Sequence, residues 1–215
     1  MDNNLNILEA KVLEAVALIK ELRAENARLS ERCRELVGQN ADLEEAGPVI
    51  PPEALTLFEQ ATASQAAGNL SDAELRFKEF LLVYPEYPGA YVNLAIIHVH
   101  NDKEDEARKV LDAALALDPD HPAALNQLGL LLRKNGKFLE AEATYLKAVT
   151  VSPDYALAHY NLGILYELYL QRLESALQHF EAYQALVGED KQVEKWISYL
   201  KRRVAASQRT ANMAE

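Results

Sequence analysis

Residues 88–121 read PGAYVNLAIIHVHNDKEDEARKVLDAALALDPDH, and residues 122–155 read PAALNQLGLLLRKNGKFLEAEATYLKAVTVSPDY. Laid one beneath the other, the two stretches agree at a period of 34 residues. Pro85, Pro119 and Pro153 form one column, and Ala73, Ala107 and Ala141 form a second. Ala61, Ala95, Gly129 and Gly163 form a third; Phe77, Leu111 and Tyr145 form a fourth. Each unit holds two apolar stretches of helical length separated by a turn, at Asn69, Asp102 or Gly136. Small residues in the Ala/Gly columns let the two helices of a unit approach closely, and Leu94, Leu128 and Leu162 fill the space between units. One such unit cannot bury its apolar surface alone, whereas four stacked units can.

Working outward from this pair, the period places units at 54–87, 88–121, 122–155 and 156–189. The fourth carries one extra residue, read in its internal turn at Leu170-Gln171-Arg172, so Ala176 and Phe180 take their columns one place late. Ser71 with Glu74 reads as a capping box. Asp120 and Asp154 read as N-caps of the helices that follow them. Residues 190–205 set Val193, Trp196, Ile197, Leu200 and Val204 on one helical face, as a capping helix that ends the stack. The tail 206–215 is expected to be disordered. These columns resemble the tetratricopeptide repeat (TPR) family over about two thirds of the chain. The resemblance implies an all-α fold: a right-handed α-α superhelix, the TPR solenoid, closed by the C-terminal helix.

Residues 1–46 follow a different rule. Leu5, Val12, Ile19, Asn26, Cys33 and Asn40 recur at heptad position a, and Leu8, Ala15, Leu22, Leu29, Leu36 and Leu43 at position d. A coiled-coil helix of about 60 Å follows from the rise per residue, and so narrow an apolar stripe needs a partner helix. Asn26 and Asn40 at a favour a parallel homodimer. Val16 and Leu18 broaden the face and keep antiparallel or higher-order association open, as well as packing on the chain's own repeats. Cys33 reads as a small core residue; a cross-link between chains is disfavoured in a reducing compartment. Residues 47–53 form a Pro-rich linker, with Gly47 ending the helix and Pro48, Pro51 and Pro52 preventing its continuation. The stretch Ile19–Asn40 resembles the short coiled-coil cell-division factors of proteobacteria.

The chain has 215 residues and a formal net charge of −11, which argues against nucleic-acid binding. A single cysteine excludes an intramolecular disulfide framework and a thiolate metal cluster. There is no phosphate loop, nucleophile elbow or HExxH motif. His98 and His100 point to different sides of a helix. His121, His159 and His179 read as isolated structural or solvated residues. No catalytic residue, cofactor or metal ligand is assigned. The start of the sequence lacks a basic n-region, and no apolar run spans a bilayer, so a soluble cytoplasmic protein is expected. Residues 191–215 carry six bases and two acids. Through Lys201–Arg209 they give only modest attraction to a membrane.

The family resemblance also implies a concave surface lined by the first helix of each unit. In unit one it maps to Leu55, Phe58, Thr62, Gln65 and Ala66; in unit two to Gly89, Val92, Ile96, Val99 and His100. In unit three it maps to Ala123, Asn126, Leu130, Arg133 and Lys134; in unit four to Leu157, Tyr160, Ile164, Glu167 and Leu168. Left exposed, so many apolar residues imply a protein or peptide partner laid into the groove. A tightly wound superhelix would instead cover them. Asn93, Asn126 and Asn161 are placed to orient a partner's backbone, and Arg133 and Lys134 to meet a carboxylate. Some family members clamp a chaperone's C-terminal carboxylates with Lys and Asn where this chain has Phe58 and Thr62, so that clamp is absent. The run from Leu162-Gly163 through Phe180-Glu181-Ala182-Tyr183 to Arg202-Arg203 is similar to small proteobacterial repeat proteins of cell-envelope systems. The reading is a dimeric, non-catalytic adaptor or scaffold in a bacterial cell-envelope or cell-division assembly. The alternatives are a self-polymerising assembly protein and the regulatory subunit of an enzyme complex.

Overall fold

The computed structural model describes residues 51–212, and the heptad segment with its oligomerisation residues Leu5 to Leu43 lies outside them. Residues Pro52–Glu215 form a compact unit of their own. The described residues are helical throughout. In chain order they form α1 (Pro52–Ala66), α2 (Leu70–Val83), α3 (Pro88–His100), α4 (Glu104–Leu117), α5 (Pro122–Lys134), α6 (Phe138–Val151), α7 (Ala156–Leu165), a π-helical turn (Tyr166–Leu170), α8 (Leu173–Val187) and α9 (Lys191–Asn212). Helices α1/α2, α3/α4, α5/α6 and α7/α8 pack as four hairpins, and each hairpin stacks on the next. Pro88 and Pro122 stand at the first turns of α3 and α5, where a missing N–H leaves nothing unsatisfied.

The columns of the sequence become the interior. Phe77 and Phe80 pack with Ala54, Ala61, Ala90, Leu94 and Ile97. Leu111 and Ala114 pack with Val92, Ala95 and Leu131. Tyr145, Leu162, Leu165 and Phe180 join Val193, Ile197 and Leu200 of α9 in the largest cluster. Gly129 and Gly163 are small because rings lie on them. A Cβ on Gly129 would sit 2.5 Å from Tyr145, and one on Gly163 would sit 2.7 Å from Phe180.

The hairpin turns share one device. Gly68, Asp102, Gly136 and Gln171 adopt left-handed φ values of 78°, 55°, 74° and 54°. In the first three turns the following N–H closes onto a carbonyl five residues back: Asn69 onto Ser64, Lys103 onto His98 and Lys137 onto Leu132. In unit four the same bond runs from Arg172 to Tyr166, one residue longer. The extra residue of unit four is therefore not in the turn. It is absorbed upstream, in the π-helical turn Tyr166–Leu170, and the turn itself keeps its form.

Other local expectations also need correction. The capping box does not form: α2 begins at Leu70 with no side-chain cap, and Glu74 pairs with Lys78 and Lys103. His121, not Asp120, caps α5, its Nδ1 accepting from the Ala124 N–H at 3.2 Å. Asp120 pairs with Lys147, and Asp154 accepts the Ser152 hydroxyl. Helix α9 does not stop near residue 205 but runs to Asn212. Buried Val204 and a hydrogen bond from Gln208 to Glu174 of α8 hold its later turns on the stack.

Candidate functional site: a concave face and its C-terminal wall

The first helix of each hairpin turns its small and large apolar residues inward and the residues between them outward. Val99, Leu130, Ile96 and Ile164 are half-buried, while His100, Lys134 and Leu168 are exposed. The structure corrects two members of the expected groove. Val92 is 5% exposed and Asn126 is 2% exposed, so both belong to the interior rather than the open face. Val92 is drawn into the cluster around Leu111. Asn126 accepts a hydrogen bond from Asn161 Nδ2 at 2.9 Å, which joins α5 to α7. Asn93 donates to the Gly89 carbonyl of its own helix. Phe58 turns its ring edge onto Phe77 and Phe80, each at 5.6 Å, and anchors the first hairpin. Tyr160 packs among Phe180, Tyr183 and Trp196.

Charge on this face is uneven. Lys134 is held by Asp102 at 3.0 Å and Glu104 at 2.8 Å, which ties unit three to the turn of unit two. Arg133 has no ion pair among the described residues, and its Nη1 is buried without a hydrogen-bond partner. Burial raises the pKa of the Glu167 carboxyl, and nearby Arg203 of α9 opposes that rise.

Helix α9 is more than a lid. Counting 35 residues on from unit four, one period plus the inserted residue, sets Val193 on Ala158, Ile197 on Leu162 and Leu200 on Leu165. All six are buried. The lateral contact also repeats. Asn161 of α7 bonds Asn126 of α5, and Trp196, one period and the inserted residue after Asn161, lies 5.9 Å from the Tyr160 ring, one period after Asn126. Helix α9 thus occupies the place of a fifth first helix. Lys195, Tyr199, Arg202 and Arg203 follow by the same 35 residues Tyr160 and Ile164 of α7 and Glu167 and Leu168 of the π-helical turn, and all four are exposed. This register was readable by extending the columns past Gly188.

At the joint between units three and four lies a cluster that spacing had not revealed. His159 of α7 and His179 of α8 are hydrogen-bonded through their Nδ1 atoms, 3.0 Å apart, so they are not isolated. His159 Nε2 lies 3.1 Å from the Pro153 carbonyl. His179 stacks on Tyr166 at 5.6 Å, and burial, with His159 adding to it, pushes its pKa down to about 4. The Tyr166 hydroxyl donates to Glu142, which also binds Arg172; burial and Glu142 push this phenol up to about 12. Among the described residues no group of three or more His, Cys, Asp or Glu is arranged to hold a metal ion. No described helix is long and apolar enough to cross a membrane.

Comparison with known proteins gives the family. Residues 64–131 match the family described as tetratricopeptide repeat, and residues 129–168 match one described as TPR repeat. No curated protein matches the chain. Among solved structures, the Pseudomonas aeruginosa pilF protein shares the fold with a TM-score of 0.63 and 22% identity, over 73% of this chain and 72% of that one. The thermophilic TPR protein TTC0263 of Thermus thermophilus gives 0.60 and 22%, over 75% and 86%. The first TPR of Spaghetti (RPAP3), bound to the HSP90 peptide SRMEEVD, gives 0.51 and 20%, over 55% and 95%. A stack of helical hairpins in this register, with these columns inside it, makes the chain a tetratricopeptide-repeat protein.

Proposed function

We propose that the chain is a non-catalytic adaptor that receives a segment of another protein on the concave face of its repeats. TPR repeats are protein-interaction modules, and one structure of this fold holds a peptide. The observation that carries the reading is the set of half-exposed or exposed apolar residues on successive first helices and the π-helical turn that follows the last, Ile96, Val99, Leu130, Ile164 and Leu168. A groove of this kind receives an extended or helical segment through spaced side-chain pockets. The heptads of residues 1–46 would pair two copies, and two linked grooves raise the affinity for a repeated target without new contacts. Residues resembling cell-division and cell-envelope proteins point to an assembly at the bacterial envelope, reached from the cytoplasm.

The test compares partners recovered by cross-linking and mass spectrometry from the native chain and from a Val99→Asp/Leu130→Asp variant. These two residues lie outside the buried clusters, unlike Val92, where a charge would break the core. The variant should fold and lose the partners; recovery of the same partners would remove the groove's role. Light scattering should give two chains per particle for the native protein and one for Leu22→Lys/Leu29→Lys. Open-ended growth with concentration would favour the polymer instead.

A further inference from the structure

We propose that α9 is the acid-recognising end of the groove: Lys195, Arg202 and Arg203, with Tyr199 between them, bind an acidic segment of the partner protein. The inference rests on the groove reading and adds the chemistry of what enters it.

Four observations carry it. The register of α9 puts these four residues on the same face as the groove residues of α3, α5 and α7. Their chemistry is then the reverse of the rest: residues 48–190 carry a net charge of −11, and residues 191–215 a net charge of +4. Two of the three cations on this face are also available, the third, Arg203, being drawn toward Glu167, whose carboxylate it favours. Lys195 and Arg202 have no carboxylate partner among the described residues. Lys201, on the other side of the helix, is held by Glu181 at 2.8 Å. Arg203 lies 5.4 Å over the Tyr199 ring, which holds the guanidinium at the rim of the face. Finally, apolar surface lies alongside. Tyr199 is 44% exposed, and Leu168 of the π-helical turn, 35 residues before Arg203, is 64% exposed. Lys195 and Arg202 are two helical turns apart, about 10 Å. Carboxylates two or four residues apart lie on one face of an extended segment, about 7 or 13 Å from each other, and the long Lys195 and Arg202 side chains span that difference.

Other anionic surfaces fit less well. Val193, Ile197, Leu200 and Val204, the apolar face of α9, are buried in the stack and leave no hydrophobic stripe to insert in a membrane. Three cations in a chain of net charge −11 are a small footprint for a nucleic-acid backbone.

The experiment measures fluorescence anisotropy of the full chain with a fluorescein-labelled oligoglutamate peptide containing one leucine. Each exposed ion pair lost weakens binding only a few-fold, so Lys195→Gln/Arg202→Gln should weaken it about tenfold and Lys201→Gln less than about twofold. Added salt should weaken the native complex and flatten the difference. The proposal is overturned if the native chain does not bind the peptide at low salt, or if the Lys201→Gln and Lys195→Gln/Arg202→Gln proteins weaken alike. It is also overturned if single-stranded DNA or phosphatidylserine vesicles bind in preference, or if the double variant's only effect is to abolish a concentration-dependent gain in mass. Failure here is separable from failure of the groove. Partners lost by Val99→Asp/Leu130→Asp but kept by Lys195→Gln/Arg202→Gln leave the groove standing and remove α9 from recognition.

Discussion

Units three and four are built on one template and differ by one residue. In unit three, α5 runs unbroken to Lys134 and closes through Gly136, with Tyr145 lying on Gly129. In unit four, α7 gives way to a π-helical turn before Gln171, and Phe180 lies on Gly163. The ring-on-glycine contact and the left-handed turn survive the insertion; the register between them changes. Here the extra residue is taken up where the helix widens by one bond, and the left-handed residue that closes the turn is kept at Gln171. The aromatic network of Tyr166, His179, His159 and Arg172 gathers at the widened turn. In unit three the corresponding residue to Tyr166 is Leu132.

That contrast can be broken at its strongest point first. Phe180→Ala removes a buried ring shared by α7, α8 and α9. It should cost about 3–5 kcal/mol, as other buried phenylalanines do. Denaturant unfolding measures it, and a cost below that of a surface substitution would mean the fourth unit is not packed as described. Next come the glycines. Gly129→Ala and Gly163→Ala each drive a methyl into an aromatic ring, at a cost of about 1–3 kcal/mol by overpacking. Similar losses for both would show that the insertion leaves the ring contact alone. Smaller, and opposite in sign, is Tyr145→Phe. The Tyr145 hydroxyl is buried without a partner, whereas unit four has Phe180 at the matching place. Removing an unsatisfied hydroxyl should raise stability by about 1 kcal/mol; a loss would show that the hydroxyl is bonded in solution.

A last test of unit four is one of pH. His179 is held below its unfolded value of about 6.5. Between pH 6.5 and about 4 the unfolded chain therefore binds the proton that the folded chain refuses. Stability should fall as pH drops through that window and level off below it. His179→Gln should flatten the profile relative to the native chain in urea titrations at each pH. An unchanged profile would mean that the imidazole is solvated.

The repeats were legible because their period is a statement about packing: a ring needs a glycine or alanine beneath it, and both recur together. The place of the inserted residue was not legible, because counting shows that one residue is extra and not which hydrogen bond lengthens. Val92 and Asn126 were misjudged for a related reason. They share one column with Phe58 and Tyr160, and in every unit this position meets the neighbouring helices instead of standing open. His159 and His179, twenty residues apart, meet only because a hairpin brings α7 and α8 together. The outward face of α9 could have been read, since Ile197 follows Leu162 by one period and the inserted residue.

The most direct measurement sets the two sides of the solenoid against each other. Native chain, the concave-face variant Val99→Asp/Leu130→Asp and the outer-helix variant Leu75→Asp/Leu146→Asp are used to capture partners under identical conditions, with circular dichroism verifying that all three are folded. The adaptor account requires the concave variant to lose the partners that the other two retain. Retention by the concave variant, or loss confined to the outer-helix variant, would contradict it.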